Sequence, residues 1–273
     1  MLALPEGLHL AAQLNESAAH RTVNRVLPPS KAHKFCWYNG DPADYDAAVR
    51  GCQIESAESF GIFVELAFEN GCRLCFNDGV NVRLLPTKGM PESHQLAVVL
   101  DNGRTLVFTV AMYGGIILHD GGYDNAYYAA SRRALSPFSP AFPAYFQSEL
   151  AACRPAMNAA AFLATQQRFC GVGNGVLQDI LFAAGVHPKR KLGTLSRDER
   201  ERLLACTVSV LREMAEQGGR DTEKDLFGTP GGYRVKLSKN TLAAGCPGCS
   251  VPIVKEAYLG GSVYDCPACQ PLI

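Results

Sequence analysis

Residues 168–188 read RFCGVGNGVLQDILFAAGVHP, a glycine-rich turn that leads directly into an apolar helix. The turn itself is GVGNG and contains Gly173 and Asn174. Backbone N–H groups exposed at such a turn, together with the positive end of the helix dipole, can hold a phosphate. No strand precedes the turn, so it does not fit a dinucleotide-binding fingerprint. Taken alone, the stretch is also compatible with an ordinary turn between two helices.

The chain ends in four cysteines with the spacing C-x2-C-x16-C-x2-C. Two close pairs of thiolates, each in a tight turn, can close a tetrahedral zinc site, so we expect one structural Zn²⁺ rather than disulfides. Between the pairs, VPIVKEAYLGGSVY predicts two short strands joined at Gly260 and Gly261, which together form a β-hairpin zinc finger. The four expected ligands are Cys246, Cys249, Cys266 and Cys269.

A second CxxC pair, Cys72 and Cys75, lies in the strand-like segment GCRLCF. An odd offset on a strand directs the two side chains to opposite faces of the sheet. We therefore interpret these two cysteines as structural residues and not as a metal site.

The remaining chain divides into a β-rich first half and a helical second half. A helix is predicted over residues 5–20, because its proline and glutamate are both favourable in a first helical turn. Residues 48–118 contain seven strand-like segments separated by turn signals such as ENG, NDG and DNGR, which favours an antiparallel sandwich or barrel. Helical patterns begin at residue 151, and Ser196 with Glu199 predicts a capping box at the last of them. The fold class is therefore α+β.

Composition and charge restrict the class of protein. The chain has 273 residues, of which 47% are hydrophobic and 19% charged, and this excludes a disordered or coiled-coil chain. No apolar run approaches about 18 residues, so no membrane span is predicted. The N-terminus lacks the basic region of a signal peptide, so we expect a bacterial-type cytosol. Residues 1–150 carry 11 Lys+Arg and 15 Asp+Glu, against 15 and 11 in the remainder. A polyanionic partner would therefore contact mainly the C-terminal half.

Three segments resemble the formamidopyrimidine-DNA glycosylase/endonuclease VIII family: GVGNGVLQDILFAAGVHPKRKLGTLS, EQGGRDTEKDLFGTPGGY and the finger ending in CPACQ. The opening LPE also matches the family's N-terminal motif. The resemblance implies an N-terminal helix with an antiparallel β-sandwich over 1–130, a connection over 131–150, a helix-two-turns-helix domain over 151–240 and a zinc finger over 241–273. It further implies a monomeric base-excision repair enzyme. Such an enzyme binds duplex DNA that contains a damaged base or an abasic site, turns out the lesioned nucleotide and cleaves its glycosidic bond.

Several DNA contacts are also implied by the resemblance. Gly173 and Asn174 would hold phosphates beside the everted nucleotide, and the zinc hairpin would lie against the minor groove. Basic residues of the C-terminal half are further candidates for phosphate contacts, although each is equally compatible with a solvated basic face. They are Lys189, Arg190, Lys191, Lys236 and Lys239.

The chain departs from the family at the N-terminus. In the family, a proline follows the initiator methionine and attacks the sugar through its amine, and the next residue is a glutamate that transfers protons. These positions align with Leu2 and Ala3. A large Leu2 also disfavours removal of Met1, so the nucleophile is displaced and the acid/base carboxylate is missing.

Three further family positions are altered. The lysine of the second sandwich strand aligns near Ile62, and the arginine at the tip of the zinc hairpin aligns with Gly261. The Arg-Phe pair that intercalates into DNA aligns with Met112 and Tyr113. Tyr113 could still act as an aromatic wedge, or it could be a half-buried strand residue.

Three interpretations of the active site remain open at the level of sequence. A hydrolytic glycosylase needs a carboxylate to activate water; a glutamate at position 3 would supply it, and Ala3 would then be a knock-out. Alternatively, another carboxylate does this work, with Glu6 as the first choice, although Glu6 could simply cap the first helical turn. In the third interpretation the protein keeps the fold and the phosphate contacts but no longer cuts DNA.

The sequence does not indicate which lesion is recognised. The loop that would contact the base, residues 217–235, has no decisive specificity residue, and its Tyr233 could stack on a base or lie at the surface. Other nucleic-acid-binding proteins use a helix-two-turns-helix element without a glycosylase site. The β-rich first half and the zinc spacing disfavour that alternative.

Overall fold

The computed structural model describes residues 2–77, 79–258 and 260–272, which form a β-rich N-terminal unit, a helical unit and a C-terminal hairpin. One apolar core lies between the sheets and α1, and a second lies among the helices of the second unit. The predicted α+β fold, with a sandwich, a helical part and a hairpin finger, is confirmed. None of the described helices is long and apolar enough to span a bilayer.

Helix α1 (Leu4–Ser17) begins with a proline in its first turn and with Glu6 bonded back to the N–H of Ala3 at 3.1 Å. This reciprocal contact satisfies a backbone donor that a helix start would otherwise leave exposed. The helix packs on the sandwich at Gly7, where a Cβ would lie 2.4 Å from Oγ of Ser59. A larger residue at position 7 would force the Ser59 hydroxyl to move, so glycine allows the close approach without that shift. The helix ends somewhat before residue 20, the predicted end.

Nine strands form two sheets in the N-terminal unit. One sheet has the order β1-β7-β8-β6 and the other β2-β9-β5-β4-β3; all pairs are antiparallel except β2 with β9. Phe76 of one sheet meets Phe108 of the other with ring centroids 5.3 Å apart, so the sheets face each other across a packed core. The strands are β1 (Val23–Leu27), β2 (Cys36–Trp37), β3 (Ile54–Phe60), β4 (Phe63–Phe68), β5 (Arg73–Asn77), β6 (Val80–Pro86), β7 (Leu96–Leu100), β8 (Arg104–Val110) and β9 (Gly114–His119).

The seven segments predicted as strands correspond to β3 through β9, whereas β1 and β2 are not evident from the sequence. Cys72 contacts the core between the sheets, and Cys75 belongs to a separate cluster with Tyr128. The prediction that these two cysteines point to opposite faces is therefore confirmed.

Among the described residues, four helices (α4 to α7) surround the second core, whereas α3 packs against the five-stranded sheet. A short helix, α2 (Tyr45–Val49), belongs to the first unit. Ser196 and Glu199 form the predicted capping box at the start of the longest helix. The segment predicted as a connection, 131–150, carries the end of α3 and most of α4, and Phe142 and Phe146 of α4 are fully buried in the helical core. The helices are α3 (Ala126–Arg133), α4 (Phe142–Ala152), α5 (Ala159–Ala164), α6 (Asn174–Ala184) and α7 (Arg197–Glu216).

The C-terminal hairpin consists of β10 (Val254–Tyr258) and β11 (Gly261–Asp265), and it docks on α6. Gln178 of α6 accepts a hydrogen bond from the N–H of Tyr264 at 3.1 Å and donates one to the carbonyl of Ser262 at 3.1 Å. The Gln178 side chain is therefore hydrogen-bonded to the backbone of β11. The hairpin tip is therefore held close to the start of α6.

Candidate nucleic-acid cleft and metal centre

A cleft of about 440 Å³ lies where the N-terminus, the β8–β9 turn, the start of α6 and the tip of the hairpin meet. These parts are distant in sequence, and most positions that the sequence analysis singled out come together here. The cleft is lined, among others, by Leu2, Ala3, Ile62, Met112, Tyr113, Gly173, Asn174 and Gly261.

The N-terminus is fixed against the glycine-rich turn. The N–H of Leu4 donates to the carbonyl of Gly171 at 3.0 Å. Gly171 has a φ of +85°, and a Cβ there would lie 2.6 Å from the carbonyl oxygen of Gly61 and 2.7 Å from Cβ of Leu4. A glycine is needed at this position both for the backbone conformation and for the approach of two other segments. Ala3, only 5% exposed, therefore sits at the wall of the cleft as part of the helical core.

Glu6 forms a buried ion pair with Arg220, from the loop after α7. Its Oε1 accepts hydrogen bonds from Nε of Arg220 at 2.9 Å and from the backbone N–H of Arg220 at 3.0 Å. Its Oε2 accepts from Nη2 of Arg220 at 3.0 Å and from the N–H of Ala3 at 3.1 Å. Burial disfavours a charged guanidinium, but the contact with Glu6 outweighs it and raises the pKa of Arg220. Since both carboxylate oxygens are engaged and Glu6 does not line the cleft, the geometry favours the capping role of Glu6 over a catalytic one.

The loop 217–235 is attached to α1, and Arg220 is its only described residue that lines the cleft. Asp225 accepts from Nε2 of Gln13 at 2.8 Å, and the N–H of Leu226 donates to Oε1 of Gln13 at 2.9 Å. Tyr233 is 1% exposed and belongs to the helical core. Both sequence-based interpretations of Tyr233, stacking on a base and lying at the surface, are wrong, because the loop folds its aromatic ring inward.

Asn174, the first residue of α6, connects the glycine-rich turn to the hairpin. Its Nδ2 donates to the carbonyl of Ser262 at 2.9 Å, and a Cβ at Gly261 would lie 3.1 Å from the same nitrogen. The N–H groups of Gly173, Asn174 and Gly175 have no hydrogen-bond acceptor among the residues that the structure describes. Three backbone donors at a helix start thus face the cleft region, which is the arrangement that suits an anion.

The basic residues proposed from the sequence fall into different surroundings. Lys189 pairs with Glu256 of the hairpin, and Lys239 and Lys191 are exposed at the surface. Arg190 is buried, with Nε donating to Oγ1 of Thr194 at 2.7 Å. Arg190 is therefore a structural residue and not a surface phosphate contact, which corrects that expectation.

The described lining of the cleft contains no carboxylate, histidine, lysine or cysteine side chain. Its cations are Arg168 and Arg220, and each has an acidic partner: Arg168 lies 3.2 Å from Glu149, and Arg220 is paired with Glu6. Ile62 lies where the family resemblance places a lysine. The cleft can therefore hold a nucleotide by shape and by backbone donors, but none of its described side chains is a carboxylate or an imidazole that could act as a general base toward water.

The four C-terminal cysteines form a metal-binding cluster. Their sulfur atoms all lie within 4.8 Å of one another, with Sγ–Sγ distances of 3.7 Å for Cys246–Cys269 and 3.5 Å for Cys249–Cys266 and Cys249–Cys269. Four thiolates about 2.3 Å from a tetrahedral zinc ion would be about 3.8 Å apart, so the donor set and its spacing fit the metal.

The electrostatics of the cluster also suit a cation. Burial opposes ionisation of Cys246, but the N–H of Gly248 and the neighbouring thiols outweigh it and lower its pKa to about 7. Hydrogen bonding with the Cys249 thiol, together with burial, raises the pKa of Cys269 to about 12. Thiols packed this closely cannot all ionise unless a positive ion compensates their charge.

A second group of potential ligands, Glu65, Cys75 and His119, is buried on the face of the five-stranded sheet that points away from the core between the sheets. Oε2 of Glu65 accepts from the hydroxyl of Tyr128 at 2.7 Å, and Oε1 pairs with Arg132 of α3. Burial raises the pKa of the Cys75 thiol well above its usual range. Since the carboxylate is already neutralised by arginine and the thiol is protonated, this cluster attaches α3 to the sheet, in agreement with the structural role expected for Cys75.

Comparison with known proteins places the chain among DNA repair proteins, although no protein-family model matches it. It is 31% identical over 247 residues to the formamidopyrimidine-DNA glycosylase of Thermomicrobium roseum, covering 82% of this chain and 84% of the relative. The structure is similar to that of the MutM (Fpg) protein of Thermus thermophilus, with a TM-score of 0.79, 28% identity and 98% of both chains covered. A complex of the Lactococcus lactis Fpg with abasic-site DNA shares the fold at a TM-score of 0.82 and 16% identity, over 98% of this chain and 99% of that one.

Proposed function

Because the chain belongs to the formamidopyrimidine-DNA glycosylase family, we propose that it acts in base-excision repair. It binds duplex DNA that contains a damaged base or an abasic site and turns the lesioned nucleotide into the cleft. Hydrolysis of the N-glycosidic bond is the reaction of this lineage, and it depends on a carboxylate that Ala3 replaces in this chain. The observation that carries this proposal is the convergence of Ala3, Tyr113, Asn174 and Gly261 on one cleft. A nucleotide placed there would meet the N-terminus, the start of α6 and the hairpin tip at once.

DNA would be held mainly through its phosphates. The backbone donors at Gly173, Asn174 and Gly175 would bind a phosphate next to the everted nucleotide, and the exposed Lys239 would add a charge contact at the surface. Lys189 would contribute only after exchanging Glu256 for a phosphate. Tyr113, 38% exposed at the mouth of the cleft, would fill the space that the everted base leaves in the stack.

The four cysteines would hold one Zn²⁺ in a structural role. The metal would fix the two ends of the hairpin and thereby the position of Gly261 against Asn174. Loss of the metal would free the hairpin tip and weaken the phosphate site that it supports.

Hydrolysis would require a carboxylate at position 3. With Leu2 and Ile62 at the positions of the family's proline and lysine, we expect no covalent Schiff-base intermediate and no β-lyase activity of the usual kind. A glutamate in place of Ala3 would reach the cleft from its wall, accept a proton from the attacking water and direct the oxygen to the sugar C1′.

A second candidate function is the binding of damaged DNA or abasic sites without cleavage. It is favoured by one observation, the lack of any carboxylate among the described residues that line the cleft. In this case the anion-binding groups serve recognition alone, and the protein would mark or shield a lesion.

The two candidates are separated by measuring base release from a panel of damaged duplexes with the unsubstituted chain, Ala3→Glu and Ala3→Gln. The glutamine variant is the matched control, since it has the size of glutamate without its charge. General base catalysis predicts release about 10²–10⁴ times faster for Ala3→Glu than for Ala3→Gln. If all three proteins are inert but bind an abasic duplex tightly, the binding function is supported. If none of them prefers damaged DNA to an intact duplex, both candidates are wrong.

A further inference from the structure

The loop 217–235, which the family resemblance places next to the base, contributes little to the cleft. Arg220 is its only described residue in the lining, and the guanidinium of Arg220 is engaged by Glu6. Further along, the loop is attached to α1 through Gln13, and the ring of Tyr233 is buried in the helical core. A base that enters the cleft would therefore have to be recognised by side chains of another segment.

The described lining of the cleft contains two side-chain amides, Asn174 and Gln167. Both ends of the Asn174 amide are engaged: Nδ2 donates to the carbonyl of Ser262 at 2.9 Å, and Oδ1 accepts from Nε2 of Gln178 at 3.0 Å. The Gln167 amide makes no hydrogen bond to any residue that the structure describes, and only its backbone carbonyl is engaged, by the thiol of Cys170. Gln167 therefore offers the cleft a donor and an acceptor that the fold itself does not use.

The loop 165–168, between α5 and the glycine-rich turn, holds Gln167 in a strained backbone conformation. Gln166 and Gln167 are left-handed in succession, with φ of 61° and 52°, which non-glycine residues rarely adopt. Arg168, 9% exposed, fixes the loop by donating to the carbonyl of Phe162 at 2.8 Å and to Oε1 of Gln166 at 2.7 Å. Backbone strain of this kind persists only where surrounding contacts impose it, and it is concentrated at functional sites. The loop thus holds Gln167 at a fixed place in the wall of the cleft.

We infer that Gln167 determines which base the cleft accepts, by hydrogen-bonding to the edge of the everted base. This inference rests on the proposed entry of a lesioned nucleotide into the cleft. A carboxamide carries a carbonyl acceptor beside an NH2 donor. It forms two parallel bonds with a base that presents an N–H next to a carbonyl oxygen, but only one with an edge that carries two neighbouring acceptors or two neighbouring donors. The ligand class is therefore a base with an N–H beside a carbonyl group on its exposed edge.

The surroundings of Gln167 make this contact selective. Ile62, Leu163 and Ala164 also line the cleft, and their side chains offer no hydrogen-bonding group. A base in the cleft displaces water from the Gln167 amide, and a polar group that is buried without a partner is costly. A base with the matching edge is therefore favoured over one that leaves the amide half paired.

The test compares two duplexes of one sequence. The first carries dihydrothymine, whose ring N–H lies between two carbonyl groups, and the second carries an abasic analogue at the same position. Both duplexes offer the same phosphates, but only the first offers a base edge. Gln167→Met keeps the length of the side chain and removes the amide. We expect it to weaken binding of the dihydrothymine duplex roughly 5- to 150-fold, as for the loss of a bidentate pair, and to leave the Kd of the abasic duplex unchanged.

Two further variants serve as controls. Gln167→Leu is a second apolar substitution and should show the same selective loss. Gln147→Met makes the matched substitution at an exposed position of α4 outside the cleft, and it should preserve both affinities. The unchanged affinity for the abasic duplex shows that each variant is folded and still binds DNA phosphates.

Three results overturn the role of Gln167 while leaving binding at the cleft intact. The first is an unsubstituted chain that binds the abasic duplex tightly but prefers dihydrothymine DNA no more than an intact duplex. The second is an unchanged affinity of Gln167→Met for dihydrothymine DNA. The third is an equal weakening of both duplexes, which indicates a phosphate contact or a structural role. Failure of the unsubstituted chain to prefer either duplex to intact DNA refutes the proposed function and this inference together.

Discussion

Replacing Glu6 with alanine should destabilise the protein strongly, because it leaves Arg220 buried without its main partner. The Arg220 side chain is 4% exposed, and it donates to both oxygens of Glu6. Gly175 allows this burial, since a Cβ there would lie 1.8 Å from Nη1 of Arg220. The guanidinium is thus packed against the start of α6 and almost completely removed from water.

The magnitude follows from what remains after the substitution. Removing one member of a buried ion pair typically costs about 3–5 kcal/mol, because the other charge stays desolvated. The bond from the N–H of Ala3 to Glu6 is also lost, although alanine is a good helix former and compensates part of that loss. We expect the free energy of unfolding to fall by about 3–4 kcal/mol, and the Tm by roughly 2–4 °C for each kcal/mol.

The assay is urea denaturation followed by circular dichroism, with Glu16→Ala as the matched control. Glu16 lies on the same helix and is exposed, so its substitution should change the free energy of unfolding by no more than about 0.5 kcal/mol. The double variant Glu6→Leu with Arg220→Met removes both charges and should lose less than Glu6→Ala alone. A loss below about 1 kcal/mol for Glu6→Ala, or a double variant less stable than it, would refute the reasoning.

Three further predictions concern the metal, the phosphate site and pH. The purified protein should contain about one Zn²⁺ per chain, and Cys269→Ser should lower both the zinc content and the affinity for an abasic duplex; zinc-free protein with full affinity would contradict this. Asn174→Ala removes the hydrogen bond that ties the start of α6 to the carbonyl of Ser262 in the hairpin, so it should weaken binding of the same duplex in a salt-titrated anisotropy assay; an unchanged Kd would show that the Asn174 side chain does not support the phosphate site. Burial opposes ionisation of Glu65, but His119, Tyr128 and Arg132 outweigh it and lower its pKa below 4.5. The stabilisation from this carboxylate is therefore present above that value and lost as pH falls through the lower folded pKa. Denaturation midpoints of Glu65→Gln should then be lower at neutral pH and less sensitive to acid than those of the unsubstituted chain.

Much of the sandwich could be predicted because its strands are bounded by strong turn signals. Segments such as ENG and DNGR separate β4 from β5 and β7 from β8, and the strands between them are rich in branched apolar residues. β2 contains only Cys36 and Trp37, too few residues for any alternation to appear. β1 has two exposed polar residues in succession, Asn24 and Arg25, where a bulge shifts its register against β7.

The Pro-rich stretch SPFSPAFPAYF lies within the expected connection 131–150, and proline usually interrupts regular structure. In α4, however, Pro143 occupies the first turn, where its missing N–H costs nothing and its fixed φ favours the helix. The aromatic residues on either side of this proline, Phe142 and Phe146, are core residues of the helical unit. The same stretch of sequence is therefore the start of a helix whose aromatic residues are buried.

Only the local features of the candidate site could be predicted from the sequence; its long-range contacts could not. The cysteine spacing and the glycine-rich turn are local patterns with their own chemistry, and both could be read directly. The ion pair between Glu6 and Arg220 joins residues 214 positions apart, and no local sequence pattern around either residue predicts it. The sequence also does not predict that Trp37 is exposed, because an isolated tryptophan is usually a core residue. Its exposure is evident only in the structure.

The binding and chemical functions of this cleft depend on different parts of the chain. The donors at Gly173, Asn174 and Gly175 are backbone N–H groups, which side-chain substitutions cannot remove as long as α6 starts at the same place. The chemical step would depend on a single side chain at position 3. Ala3 and Arg220 are both bonded to Oε2 of Glu6, at 3.1 and 3.0 Å, so the position of residue 3 is fixed by the same buried pair that supports the helix start. Loss of a carboxylate at position 3 would therefore remove general-base catalysis and leave these backbone donors in place, so lesion binding without cleavage needs no other change in the cleft.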